Sequence, residues 1–116
     1  MATQLKAAQL KADGRFWLTL DGKNFLGRGR VELLQRIRET GSISKAAKAM
    51  KMSYKAAWDA VDAMNVAWQS PLVESGPAGS RLTEDAERLI AAFQQAEAQH
   101  TAFMIALGRT LPTHPR

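Results

Sequence analysis

Apolar residues recur three and four positions apart in several stretches of the chain, which is the spacing of a helix with one buried face. The first stretch predicts a helix from about residue 29 to residue 40. Its inner face consists of Val31, Leu33, Leu34 and Ile37. Gly41 follows at once and predicts the end of this helix.

Two more helices are predicted directly afterwards, separated by a very short turn. Ser42 and Ser53 are favourable N-cap residues and mark the two starts. The apolar faces consist of Ile43, Ala46, Ala47 and Met50 in the first helix and of Ala57, Val61, Met64 and Trp68 in the second. The second helix runs to about residue 69, where Ser70 and Pro71 end it. Helices joined by so short a turn cross steeply, and the alanines leave room for that crossing, so the pattern predicts a helix-turn-helix.

Strand patterns flank these helices. Residues 15–27 predict a hairpin, because a strand-like run to Leu20 is followed by Asp21-Gly22, a strong two-residue turn signal. Residues 72–74 and 81–82 predict two short strands around a tip rich in glycine and proline, which would form a small wing. Thr83 caps a final long helix that continues to about residue 107.

These elements predict a mainly α fold with a small β component, a winged helix-turn-helix with an N-terminal hairpin. The length of 116 residues fits a single domain. We expect the winged helix-turn-helix domain to cover residues 1–107, including the long last helix over residues 83–107, and residues 108–116 to form a flexible tail.

Composition excludes several classes of protein. The chain has no cysteine and two histidines, so it offers no thiolate site and too few groups for a histidine-rich metal centre. No apolar run reaches the ~18–20 residues of a membrane span, and the polar start is not typical of a signal peptide. We therefore expect a cytoplasmic protein that is not an enzyme and has no membrane contact, no cofactor and no bound metal.

Charge is concentrated in the helix-turn-helix. The net charge is +5, and residues 41–56 contain four lysines and no acidic residue. A basic surface on this motif favours double-stranded DNA as the partner, with the start of the second helix in a major groove. The candidate DNA-binding residues are Ser42, Ser44, Lys45, Lys48, Ser53, Tyr54, Lys55 and Arg81. Asp59 and Asp62 oppose a uniformly basic surface. Asp59 could accept a hydrogen bond from cytosine N4, but we expect it instead to be solvated or to pair with Lys55 four residues earlier.

The last helix carries an apolar seam that predicts a homodimer. The seam residues alternate at spacings of four and three and consist of Leu89, Phe93, Ala96, His100, Phe103 and Leu107. A helix of this length is longer than a small winged domain can cover, so we expect the seam to pack on a second copy. Trp58 and Trp68 are expected in the core or the dimer interface.

Two sequence blocks carry a family resemblance. They are Gly41-Ser42-Ile43-Ser44-Lys45-Ala46-Ala47 and Met52-Ser53-Tyr54-Lys55-Ala56-Ala57-Trp58, with Met64-Asn65 further on. Over roughly residues 15–107 the chain resembles the DNA-binding domain of ModE-type molybdate-responsive regulators, which are related to LysR-type regulators. The resemblance implies that Ser53, Tyr54 and Lys55 open the recognition helix. It also implies a homodimer on a palindromic operator and control of transcription.

The sequence departs from that family in three respects. The sequence stops where the molybdate-binding domains of the family would begin, so it does not identify a small-molecule effector. The wing is shortened to Gly76-Pro77-Ala78-Gly79. Related motifs often have glycine in the turn where this chain has Lys51. If Lys51 is left-handed, Lys51→Gly should stabilise the fold by up to about 1 kcal/mol.

Two other functions stay open at this point. One is a winged-helix module that binds another protein, which the two aspartates of the second helix favour. The other is a sensor that binds an oxyanion such as molybdate or tungstate at the dimer interface.

Overall fold

A computed structural model of the chain describes residues 9–112. Its elements in chain order are β1 (Leu18–Leu20), β2 (Lys23–Leu26), α1 (Arg28–Thr40), α2 (Ile43–Ala49), α3 (Tyr54–Trp68), β3 (Val73–Gly76), β4 (Gly79–Leu82) and α4 (Glu84–Gly108). The predicted winged helix-turn-helix is confirmed. Residues 1–8 and 113–116, the outer parts of the predicted domain and tail, lie outside the described residues. Within residues 9–112, no helix is both long enough and apolar enough to cross a membrane.

The first hairpin is shorter than the sequence pattern predicts. Asp21 and Gly22 both have positive φ, as the predicted two-residue turn requires, and β1 pairs antiparallel with β2. The strand begins at Leu18, however, not at residue 15. Phe16 lies outside the strand, and its ring packs against Phe93 of α4, with ring centroids 5.5 Å apart.

Each helix begins and ends where its local sequence predicts, within one or two residues. The hydroxyl oxygens of Ser42 and Ser53 accept hydrogen bonds from backbone N–H groups in the first turns of α2 and α3. Thr83 caps α4 in the same way, and three acidic residues in the first turn of α4 favour its start electrostatically. Gly41 ends α1 in the left-handed conformation, and its N–H donates to the carbonyl of Ile37.

The hydrophobic core lies between α1, the inner faces of α2 and α3, and the first half of α4. Its largest fully buried side chains include Phe93, Leu26, Leu33, Leu34, Ile37 and Met64. Ala46, Ala47 and Ala57 are buried as well. Their burial confirms that small side chains fill the crossing of α2 and α3. The outer faces of these two helices therefore remain free to carry the polar residues of the motif.

Candidate nucleic-acid interface

The turn between α2 and α3 depends on one residue with unusual backbone geometry. Lys51 has φ of 55°, in the left-handed region, which confirms the conformation considered from sequence. This conformation lets the N–H of Met52 donate to the carbonyl of Ala47 at 3.0 Å, so the chain reverses within a few residues. A side chain at such a position is strained relative to glycine. The turn keeps the Lys51 ammonium group exposed on the same motif as the other lysines.

The start of α3 presents the predicted recognition residues to solvent. Ser53, Tyr54 and Lys55 are all exposed, and Tyr54 retains 56% of its accessible surface. The Ser53 hydroxyl oxygen accepts from the N–H of Ala56, which leaves its hydrogen available for a ligand. Because Ala57, Val61 and Met64 fix the inner face of α3 in the core, this exposed end is held by a rigid helix.

Lys55 and Asp59 form an ion pair on the outer face of α3. The Lys55 Nζ lies 2.8 Å from a carboxylate oxygen of Asp59, one helical turn away, which confirms the expected pairing. The hydrogen bond to Asp59 and its negative charge raise the pKa of Lys55 above the ordinary value of a lysine. Both side chains are mostly exposed. The ammonium group is therefore charged at neutral pH and can move from Asp59 to another acceptor at little cost.

Helix α2 contributes a second group of exposed polar side chains. Ser44, Lys45 and Lys48 are exposed on its outer face, whereas Ser42 is half-buried. The Ser42 hydroxyl oxygen accepts from the N–H of Lys45 at 3.1 Å, and the Thr40 hydroxyl donates to the backbone carbonyl of Ser42 at 3.0 Å. Its capping role therefore restricts the contact predicted for Ser42 to its hydroxyl hydrogen.

The wing is attached to the helix-turn-helix by backbone hydrogen bonding. The N–H of Ser80 in β4 donates to the carbonyl of Gly41 at 2.9 Å. Gly79 has φ of 112°, and a Cβ at that position would lie 2.6 Å from the same carbonyl oxygen. Only glycine therefore permits this approach. Arg81, the predicted DNA contact of the wing, is exposed and lies 3.5 Å from Glu74 on β3.

Asn65 is a positioning residue that sequence reasoning did not identify. Its side-chain oxygen accepts from the N–H of Leu72 at 2.8 Å, and its amide nitrogen donates to the carbonyl of Val73 at 3.3 Å. These bonds join the second half of α3 to the start of the wing. The sequence could have indicated this role, because Asn65 is a polar residue on the inner side of α3, seven residues before the predicted strand.

A comparison with protein families decides the classification. Residues 29–87, slightly more than half of the chain, match the sequence model of a protein family. That family is the bacterial regulatory helix-turn-helix proteins of the lysR family. The chain belongs to this family. The matched region of the LysR-family domain contains the complete helix-turn-helix and wing.

Similar proteins include several named for molybdenum. The domain is 41% identical over 95 residues to molybdenum-pterin-binding protein MopB of Rhodobacter capsulatus, covering 78% of this chain and 35% of that protein. It is 40% identical over 94 residues to transcriptional regulator ModE of Haemophilus influenzae, covering 76% and 37% respectively. These matches confirm the resemblance to ModE-type regulators. The chain spans little more than a third of the length of these relatives.

Solved structures confirm the LysR-type fold. The DNA-binding domain of CbnR, in a complex with DNA, superimposes with a TM-score of 0.56 at 16% identity, covering 66% of this chain and 88% of that one. A mutant of Corynebacterium glutamicum OxyR gives a TM-score of 0.54 at 15% identity and covers 85% of this chain. At this identity the likeness concerns the fold alone.

The two tryptophans of α3 have different environments in this LysR-family domain. Trp68 is half-buried, stacks on Phe25 with ring centroids 5.8 Å apart, and donates its indole N–H to Asp85 at 2.9 Å. It belongs to the core, as expected. Trp58 is 36% exposed beside Tyr54. Trp58 therefore lies outside the core.

The predicted seam of α4 divides into a covered and an exposed part. Phe93 is only 1% exposed, inside the core of its own chain, so its assignment to the dimer interface is wrong. The reason is that the first half of α4 packs on α1 and on the Phe16 ring. Leu89 and Ala96 are half-buried, and Leu89 packs against the same core.

The second half of the seam remains at the surface. Phe103 and Leu107 are 60% and 39% exposed. His100 is half-buried, with its ring 5.4 Å from that of Phe16. The segment before β1 lies along this half of α4, because Gly14 approaches His100 and Met104. Phe103 and Leu107 are therefore the seam residues whose apolar surface this chain leaves exposed.

Proposed function

We propose that the chain is a sequence-specific, double-stranded DNA-binding transcription regulator that acts as a homodimer on a palindromic site. The observation that supports this function is the exposed start of α3, which lies beside the exposed lysines of α2 in a stretch without acidic residues from 41 to 56. In the proposed complex the first turn of α3 enters the major groove. Such a protein works in the bacterial cytoplasm, where the chromosome lies.

The contacts divide into those that position the protein and those that recognise sequence. Lys45 and Lys48, with the Ser44 hydroxyl, bind phosphates and set the register of the domain. Lys55 leaves Asp59 and donates to guanine O6 and N7, while Ser53 and Tyr54 supply hydroxyl groups to the same groove. Arg81 exchanges its weak pairing with Glu74 for the backbone beside the wing. The Ser42 hydroxyl can add one hydrogen bond to a phosphate.

The proposed homodimer uses the exposed half of the α4 seam. Helix α4 has 25 residues, a length of roughly 37 Å at 1.5 Å per residue. Its first half is covered by the winged core, whereas Phe103 and Leu107 expose apolar surface beyond it. Packing against the same surface of a second copy removes these side chains from water and gives the two-fold symmetry of a palindromic site.

The direct experiment is selection of genomic DNA fragments by the purified protein at near-physiological salt, followed by sequencing of the retained fragments. We expect one shared two-fold motif. Binding to that motif should weaken with salt at a slope of about −0.9 per phosphate neutralised on a log–log plot. Retention of no fragments, or of all fragments equally, would contradict sequence-specific binding.

Lys55→Ala tests the recognition role within that complex. We expect a loss of about 1–3 kcal/mol in binding to the selected motif and a smaller loss on random DNA, because a base contact is removed. Lys23→Ala is the matched control, since Lys23 is exposed on the first hairpin and its substitution removes the same charge. Equal losses on both DNAs would reduce Lys55 to a phosphate contact.

The two alternatives make different predictions. A protein-interaction module would bind DNA weakly and without sequence preference while a protein partner binds tightly. An oxyanion sensor would show a melting shift with molybdate or tungstate.

A cleft of about 510 Å³ beside α4 contains Arg15, Arg28 and His100. Asp13 and Glu97 line it too, and Glu97 lies 2.7 Å from Arg28. Such balanced charge does not favour an anion.

A further inference from the structure

We propose that Tyr54 and Trp58 form an apolar contact on α3 that recognises the C5-methyl group of a thymine in the major groove. The inference rests on the proposed DNA-binding function and adds a base preference to it. The two residues are one helical turn apart, so their side chains lie on the same side of α3.

The aromatic pair has a defined geometry. The ring centroids are 6.2 Å apart and the ring planes meet at 75°, so the edge of one ring faces the other. Such an arrangement is favourable for aromatic rings and restricts the side-chain rotamers of both residues. The indole is consequently held in place before a ligand arrives, which lowers the entropy lost on binding.

The surroundings of the pair favour DNA over an apolar protein surface. Lys55 is next to Tyr54 in the chain, Lys48 and Lys51 are exposed on the preceding helix and turn, and Asp59, which follows Trp58, is paired with Lys55. An apolar partner would have to remove these ammonium groups from water without compensating charge. DNA offers phosphates to the lysines and an apolar group to the rings, so both parts of the surface find complementary chemistry.

Thymine is the base that matches this chemistry. In the major groove it presents a methyl group, whereas the other bases present hydrogen-bond donors and acceptors without one. The pair flanks Lys55, which is suited to guanine. The first two turns of α3 therefore combine a polar contact with a neighbouring apolar one.

The test uses DNA in which deoxyuridine replaces thymine, because this change removes the methyl group and leaves base pairing intact. Each thymine of the selected motif is replaced in turn, and affinity is measured by fluorescence anisotropy. For the unaltered protein we expect a loss of about three- to fivefold at one thymine in each half-site, the value of one buried methyl group. The other thymines should show no such loss.

Trp58→Ala should abolish this dependence, so that the thymine and deoxyuridine sites bind equally. Trp58→Phe keeps an apolar ring and should retain part of the dependence, which guards against a folding defect in the alanine variant. Trp17→Ala is the matched control, because Trp17 is an exposed tryptophan outside the helix-turn-helix. It should preserve the full dependence on the methyl group.

The outcomes separate this inference from the proposed function. A recovered motif at which deoxyuridine has no effect, or an unchanged methyl dependence in Trp58→Ala, would overturn the thymine contact alone. Failure to recover any motif would overturn both. If Trp58→Ala is folded but sediments as a monomer while the unaltered protein is a dimer, the indole belongs to the subunit interface and the inference is wrong.

Discussion

The two halves of α4 have similar apolar spacing but different surroundings. In the first half, Ala86, Ile90 and Phe93 are buried against the same chain. In the second half, Phe103 and Leu107 are exposed. The periodicity of a helix therefore identifies which side is apolar, but the tertiary contacts decide whether the chain itself or a partner covers that side.

The helix-turn-helix shows the same division between its two sides. Ala46, Ala47 and Ala57 are buried at the crossing, whereas the lysines of the outer side are exposed. Changes on the covered side should lower the free energy of unfolding. Changes on the uncovered side should alter association with DNA or with a second copy and leave unfolding nearly unchanged.

Phe93→Ala should have the largest effect on stability. Truncation of a fully buried phenylalanine removes its burial and leaves a cavity, so we expect the free energy of unfolding to fall by about 3–5 kcal/mol. Urea denaturation followed by circular dichroism measures this change. A loss below about 1 kcal/mol would mean that Phe93 is not part of the chain's own core.

Phe103→Ala is the counterpart in the exposed half. In the proposed dimer two such rings leave water, so dimerisation should weaken by about 2–4 kcal/mol. Sedimentation equilibrium measures the association constant, and denaturation of the dilute monomer should be almost unchanged. Full dimerisation by this variant would place the subunit interface elsewhere.

Gly79→Ala tests the covered contact between the wing and the turn after α1. The positive φ and the close Gly41 carbonyl oxygen predict a destabilisation of about 1–3 kcal/mol. Gly76→Ala is the control, because no atom lies within 4 Å of a Cβ at Gly76 and its φ is not positive. Equal melting temperatures for the two variants would contradict the proposed restriction.

Lys51→Gly should give the smallest effect and the opposite sign. Glycine relieves the left-handed strain, so stability should rise by up to about 1 kcal/mol. DNA binding should weaken modestly, since one positive charge is lost from the uncovered side. A clearly lower melting temperature for the glycine variant would show that the lysine side chain stabilises the turn by more than its strain.

Local sequence signals predicted most of the fold. The caps at Ser42, Ser53 and Thr83, the turn at Asp21-Gly22 and the stop at Gly41 depend on residues close in the chain, and all appear in the structure. The exposure of Lys55 followed from the burial of the opposite face of α3.

The missed features depend on residues far apart in the chain. No local pattern indicates that Phe16 packs on Phe93, which is buried in its own chain and not in the expected interface. The bonds of Asn65 to the wing are different, because they span only seven and eight residues and a polar residue on the inner side of α3 indicated them in the sequence. Trp58 lies at the edge of the apolar side of α3, where only the packing of neighbouring elements determines exposure.

The hydrogen bond between Ser80 and Gly41 has a consequence for the DNA itself. It ties β4 to the residue that precedes the cap of α2, so the wing keeps a fixed separation from the helix-turn-helix. In the proposed complex, the wing and α3 then fit DNA whose adjacent grooves have a matching width and spacing. Sequences that are stiff in another shape must be deformed, and base pairs that no side chain touches thereby influence affinity.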